Sequence, residues 1–208
     1  MNSIQKIKKD IIKISRLIYQ KGLITSLDGN VSVKIDKNKN LITPSKKVKF
    51  ELKETDLVEM SLDGKVIKGK LLPSGEYRMH LTVYKNRQDV KAVIHTHPIY
   101  ATALSVARVS LDKFVLPEVV VNIGKIPLVE YATLYTEELA TRVERYIKNY
   151  DALVLKNHGV LTVGEDLWSA YHKTEKVEYM AKIIFIAKIL GRIDELSSKE
   201  VRKLLMLK

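Results

Sequence analysis

The sequence predicts one α/β domain spanning residues 1–208, with a central, largely antiparallel or mixed sheet flanked by helices. Three observations lead there. Apolar residues switch repeatedly between the helical and the strand period, so the two kinds of element interleave along the chain. Asp63-Gly64, between Leu57 and Ile67, is a hairpin signal and argues against an all-parallel, doubly wound sheet. No repeat or linker divides the chain, and 208 residues suffice to bury a core without disulfides or a structural metal.

In chain order, Ile4, Ile7, Ile11, Ile14 and Ile18 recur at helical spacing, so residues 3–21 read as an amphipathic helix ending near Gly22. Val31, Val33 and Ile35 alternate with polar residues as a strand does, and Leu41 to Pro44 reads as a second short strand running into a loop. The hairpin follows. Pro73-Ser74-Gly75-Glu76 then punctuates the chain before a helical stretch through Tyr84. Ala92-Val93-Ile94 reads as a buried strand leading into His95-Thr96-His97-Pro98, with an alanine-rich helix over 99–107. Val119 to Glu130 is ambiguous, because Gly124 and Pro127 interrupt it. A helix over 136–148 precedes a buried strand, Ala152 to Leu155. Asn157-His158-Gly159 forms a turn before the strand Val160 to Val163, and helices over 166–190 and 197–206 complete the chain.

Composition narrows the classes. Hydrophobic residues make up 46%, no run of 18 apolar residues exists, and the N-terminus lacks the continuous apolar stretch of a signal peptide. We therefore expect no membrane association. The absence of cysteine excludes thiolate metal sites, thiol nucleophiles and disulfides, and fits a cytoplasmic protein. The formal charge is +12, and residues 1–50 alone carry 12 Lys/Arg against 3 Asp. Such a region attracts nucleic acid, anionic lipid or a phosphorylated small molecule; a solvated lysine face on the first helix explains it equally well. No nucleic-acid recognition motif and neither common nucleotide-binding glycine fingerprint is present, so no nucleic-acid partner is expected.

The chemistry concentrates in the histidines. Of five, His95 and His97 lie two apart at the end of an apolar strand, which puts both on one face with Thr96 on the other. Two imidazoles so placed can converge on one ion, and His158 also follows an apolar strand. If those two strands are neighbours, their C-terminal ends bring three imidazoles together, an arrangement with an open position typical of a catalytic metal. The alternative is a pair of satisfied polar residues at a strand end. His80 and His172 fall within helices and read as structural or surface residues.

Taken together, Leu-Pro-Ser-Gly-Glu (72–76), Ala-Val-Ile-His-Thr-His-Pro (92–98), Glu-Tyr-Ala-Thr (130–133) and Lys-Asn-His-Gly-Val (156–160) resemble, in order and spacing, the class II aldolase/adducin family. Gly-Asn-Val-Ser (29–32) and Ile-Thr-Pro-Ser (42–45) fit its N-terminal part, and the resemblance spans roughly residues 4–190. Among its enzymatic members the motifs are most similar to those that split L-fuculose 1-phosphate. The resemblance implies a class II aldolase-like α/β/α fold and reversible cleavage of a phosphorylated ketose, here to dihydroxyacetone phosphate and L-lactaldehyde, through a metal-held ene-diolate. It implies one divalent metal per subunit, usually zinc, and a homotetramer with active sites between subunits. By position, His95, His97 and His158 become metal ligands, and Glu76 becomes both catalytic acid/base and a further ligand. Gly29, Asn30, Ser45, Ser74 and Gly75 fall at the phosphate site.

The sequence also departs from the family pattern. Lys46 stands where a glycine is usual and would add a cation to the phosphate site or turn outward. Gly75 replaces a serine, removing one hydroxyl. The tyrosine acid of the bacterial enzymes has no match; Glu118 is the candidate second acid/base there, unless it is an exposed carboxylate at a helix N-terminus. Tyr131 either lines the site or packs. A pentulose-phosphate 4-epimerase or a methylthioribulose-1-phosphate dehydratase would keep the fold and change the reaction. A non-catalytic adducin-like interaction module fits less well, since the three histidines and Glu76 are all present.

Overall fold

The computed structural model describes residues 3–207. Its core is one eight-stranded sheet in the order β4-β3-β2-β1-β5-β8-β7-β6. The strands are β1 (Asn30–Lys34), β2 (Lys39–Ile42), β3 (Val58–Ser61), β4 (Val66–Lys68), β5 (Ala92–Thr96), β6 (Leu128–Val129), β7 (Ala152–Leu155) and β8 (Gly159–Gly164). Every pairing is antiparallel except that of β6 with β7, so the sheet is mixed, as expected. Among the described residues, no helix is long and apolar enough to cross a membrane.

The helices are α1 (Ser3–Gln20), α2 (Tyr77–Asn86), α3 (Ile99–Val106), α4 (Pro117–Asn122), α5 (Glu137–Ile147), α6 (Leu167–Leu190) and α7 (Ser198–Leu205). They divide between the two faces, and strand alternation says why. Ile94 packs with α1 and α6, and Ala152, Val154 and Val160 pack under α3, α4 and α6. Their neighbours Val93, Leu153, Leu155, Leu161 and Val163 point the other way, under α2 and α5. With both faces covered, β7 and the first three residues of β5 are apolar on both sides rather than alternating. Ile11, Ile14 and Ile18 of α1 are fully buried, each stabilising by about 1.5–3 kcal/mol relative to exposure.

Two details differ from the sequence reading. The ambiguous stretch resolves into α4, begun by Pro117 in its first turn, and β6, a two-residue strand too short to show a period. And β5 and β7 are not neighbours. The chain turns sharply after β7, pairing Leu155 with Gly159, and β8 folds back between them. Convergence of the histidines survives, because His158 lies in that turn and β8 begins beside Thr96, opposite Val160.

Candidate metal centre and adjoining cavity

Strand period decides which polar side chains meet. In β1, Asn30 and Ser32 point to the α2/α5 face, away from the buried Val31 and Val33. In β5, His95 points the same way as Val93, and His97 follows one residue past the strand. The helix α2 covers this face and starts at Glu76, its N-cap residue. The β7–β8 turn brings in His158, with Asn157 left-handed at φ 56°. Gly159 makes that approach possible: a Cβ there would sit 2.3 Å from the Thr96 carbonyl and 2.7 Å from the His97 ring.

One ligand atom from each of Glu76, His95, His97 and His158 lies within 4.8 Å of the others. His95 Nδ1 is 2.9 Å from the Val160 carbonyl oxygen, which only accepts, so this nitrogen carries the proton. Burial pushes the His95 pKa well down and lowers that of His97, favouring neutral rings. Neutral His95 then presents a bare Nε2 lone pair. It faces His97 Nε2 at 2.9 Å, His158 Nε2 at 3.1 Å and Glu76 Oε2 at 3.3 Å. Two electron-rich atoms this close repel unless a cation lies between them. Glu76 Oε1 is buried and lies 3.1 Å from His158 Nε2, so both carboxylate oxygens face the imidazole cluster. The donor set, three imidazole nitrogens and a carboxylate, fits a divalent metal of the zinc type.

A buried relay holds the carboxylate in place. Glu76 Oε2 is 2.8 Å from Asn30 Nδ2, and because the carboxylate accepts, the Asn30 amide donates. That fixes Asn30 Oδ1 as an acceptor, 2.5 Å from His80 Nε2, which must donate in turn. His80 Nδ1 then accepts from the Ser32 hydroxyl at 2.7 Å, and Ser32 from the Tyr84 hydroxyl at 2.7 Å. His80 is fully buried, and burial brings its pKa down to about 4, consistent with the neutral ring this polarity requires. Burial opposes charge on Glu76 too, but positive charge at His95 and His158, with hydrogen bonds from His158 and the Asn30 amide, holds its pKa well below the usual carboxylate range. His80 is thus structural, as expected, yet it is wired to the site; His172 is exposed on α6.

A cavity of about 440 Å³ opens beside the histidines. It is lined by Glu76, His97 and His158 and by all six residues assigned to phosphate: Gly29, Asn30, Ser45, Lys46, Ser74 and Gly75. The Ser45 and Ser74 N–H groups already donate to the Leu72 and Thr43 carbonyls, so these serines offer the cavity their hydroxyls. Lys46 is exposed and left-handed at φ 53°. Glu118 does not join this cavity. It is exposed in the first turn of α4 and lines a separate groove with Tyr100, Glu178 and Tyr179. Tyr131 is also absent from the cavity wall and is 56% exposed.

Several wall residues escaped the sequence reading, Leu27 and Asp28 before Gly29 among them, and three others stand out. Leu134 and Tyr135 follow the motif that ends at Thr133. Tyr135 is left-handed at φ 66°, and its ring lies where a Gly75 side chain would be: a Cβ on Gly75 would meet the ring at 2.5 Å. The missing serine hydroxyl at 75 is thus replaced by an aromatic ring. Lys49 is the third; in the run Lys46-Lys47-Val48-Lys49 nothing in the sequence separates it from its neighbours.

With this geometry in hand, three comparisons bear on it. Residues 9–185 match the sequence profile of the class II aldolase and adducin N-terminal domain. An L-fuculose phosphate aldolase of Methanococcus maripaludis is 38% identical over 184 residues, 88% of this chain and 97% of that one. A 3-oxo-tetronate 4-phosphate decarboxylase of Pectobacterium atrosepticum is 34% identical, covering 89% of this chain and 87% of its own. A solved L-fuculose 1-phosphate aldolase superposes with a TM-score of 0.88 at 35% identity, covering 97% and 95% of the two chains.

Proposed function

The chain belongs to the class II aldolase and adducin family and is a carbon–carbon lyase, and from that premise we propose that it reversibly cleaves L-fuculose 1-phosphate to dihydroxyacetone phosphate and L-lactaldehyde. The observation that carries the reading is the neutral His95 lone pair facing the Glu76 carboxylate at 3.3 Å beside a cavity of about 440 Å³. His95, His97, His158 and Glu76 would hold one divalent ion per subunit, which we take to be zinc. When bound, it supplies Lewis acidity toward the substrate's carbonyl and hydroxyl oxygens.

Breaking the C3–C4 bond requires a proton to leave the C4 hydroxyl and one to arrive at C3. Glu76 suits the second task. As a carboxylate it would take the C3 proton of dihydroxyacetone phosphate in the condensation direction, and in cleavage the same carboxyl, having taken up a proton, would return it to C3; the Asn30 amide at 2.8 Å fixes which oxygen stays engaged. Gly29, Asn30, Ser45, Ser74 and Gly75 would hold the phosphate, while Lys46 lines the same cavity but is exposed to solvent. Glu118 is our candidate for the C4 proton. It lies outside its own chain's cavity wall, so it would act from a neighbouring subunit. A homotetramer is part of the same proposal, supported by the exposed apolar side chains Ile186, Ile189 and Leu190 on α6. So is a cytoplasmic location, supported by the cysteine-free sequence.

The decarboxylase relative shows how readily this family changes its reaction, so the test is a substrate panel. Consumption of substrate and release of dihydroxyacetone phosphate are both followed with L-fuculose 1-phosphate, a pentulose 5-phosphate, methylthioribulose 1-phosphate and 3-oxo-tetronate 4-phosphate. We expect release from the first. Glu76→Gln should lower it by about 100-fold or more while the metal stays bound. Wild-type turnover in that variant would remove Glu76 from the chemistry, and turnover of another substrate alone would reassign the reaction.

A further inference from the structure

We propose that Lys49, rather than the exposed Lys46, is the cation that receives the substrate's phosphate; this rests on the cavity being a sugar-phosphate site. The observation is a buried charge without a counter-ion. Lys49 is 1% exposed, yet among the described residues no carboxylate lies within ion-pair distance of its ammonium. Its partners are two neutral backbone oxygens, of Leu27 and Lys47, each 3.0 Å from Nζ. Lysine is almost never fully buried unless paired, because removing an ammonium from water costs several kcal/mol. A chain that tolerates this normally has an anion to receive.

The position says which anion. Lys49 lines the same cavity as Gly29, Ser45 and Ser74. Its two hydrogen bonds tie together the loop before β1, through Leu27, and the loop after β2, through Lys47. These loops carry Gly29-Asn30 and Ser45. An ammonium has three protons, and two are committed, which leaves one for a ligand in the cavity. Burial brings the Lys49 pKa down to about 8, against the pull of the Asp28 and Glu76 charges, so at neutral pH most of it remains cationic. The other lysines of the run are spent differently: Lys46 is exposed, and Lys47 reaches Asp56 at 3.8 Å. Asp28 and Glu76 line the same cavity but make no ion pair with Nζ, and a phosphate monoester brings an anion whose oxygens can accept the third proton directly.

The competing role is a strut that only holds two loops together. The test separates them. Binding of methyl phosphate to the metal-loaded enzyme is measured by calorimetry for wild type, Lys49→Met, Lys49→Gln and Lys46→Met, with metal content and Tm recorded for each. Lys49→Gln removes the charge and supplies two N–H donors for the two carbonyls on a side chain one bond shorter. We expect both Lys49 variants to bind methyl phosphate about 10- to 100-fold more weakly, with metal content unchanged and Tm not lowered in Lys49→Gln. Lys46→Met should lose less than about threefold. Wild-type affinity in Lys49→Gln would make Lys49 a strut and overturn the proposal. Should wild type itself fail to bind methyl phosphate, the sugar-phosphate reading of the cavity falls, and the proposal with it.

Discussion

The two walls of the cavity are made in different ways. One belongs to the sheet and α2: Asn30 at the start of β1, His97 just past β5, His158 in the β7–β8 turn and Glu76 at the start of α2, with the fully buried His95, Ser32 and His80 behind them. Every polar atom that positions Glu76 there sits on an element locked by ladder or helix hydrogen bonds and packed on both sides. The other wall is loop: Ser45 to Lys49, Ser74-Gly75 and Leu134-Tyr135. It includes two left-handed non-glycine residues, Lys46 and Tyr135, and an unpaired buried ammonium. The sheet wall is suited to hold a metal, which demands fixed donor geometry. On the proposed reading, the loop wall is where substrate recognition can be tuned without moving the metal donors.

Substitutions in the sheet wall should therefore cost most. His95→Ala removes the imidazole that faces the other three donors, and we expect metal affinity to fall by more than about 100-fold and dihydroxyacetone phosphate release to vanish with it. Metal analysis and the coupled assay read both. Gly159→Ala should follow, since its methyl would sit 2.3 Å from the Thr96 carbonyl oxygen. Overpacking of that kind costs about 1–3 kcal/mol, so Tm should drop by several degrees and metal affinity should fall together with it. An unchanged Tm would mean that the β7–β8 turn is as pliable as the loop wall, and the contrast would fail.

The His80 relay predicts a smaller, pH-dependent effect. Burial lowers its pKa from 6.5 to about 4, so the unfolded chain takes up the proton first as pH falls. The stability His80 contributes is therefore complete above pH 6.5 and is lost progressively toward pH 4, by up to about 3 kcal/mol. Urea melts at pH 7 and pH 4.5 should show that loss in wild type and a smaller loss in His80→Gln. Equal losses would remove His80 as its source.

Smallest of all should be Gly75→Ser in the loop wall. The serine side chain displaces the Tyr135 ring, which is 62% exposed and has room to swing outward. We expect stability within about 1 kcal/mol of wild type and the change to appear in KM. A large fall in Tm would show that Tyr135 is bound into the core.

The same contrast explains what could be read from sequence. β5 was legible because Ala92-Val93-Ile94 is a continuous apolar run ending in a period-two histidine pair, and α1 because five isoleucines keep one helical face. The convergence of His95, His97 and His158 followed from their strand-end positions, although the insertion of β8 between β5 and β7 was not foreseen. Strand insertion is decided by long-range pairing, which leaves no local pattern. Lys49 was invisible for another reason. Its burial depends on a 3₁₀ turn, Lys49–Glu51, that tucks one lysine of a basic run inward. Tyr135 and Gly75 are legible only as a pair, once the ring is seen where a side chain is missing. Glu118, well placed in sequence, lies in another groove of the same chain.

The most direct test of the central claim is the metal dependence of the purified enzyme. Metal content per chain is measured by mass spectrometry, and dihydroxyacetone phosphate release from L-fuculose 1-phosphate is followed before chelation, after chelation and after zinc is restored. The account predicts one divalent ion per chain, loss of release on its removal and recovery on its return. Full release by the metal-free protein would contradict it.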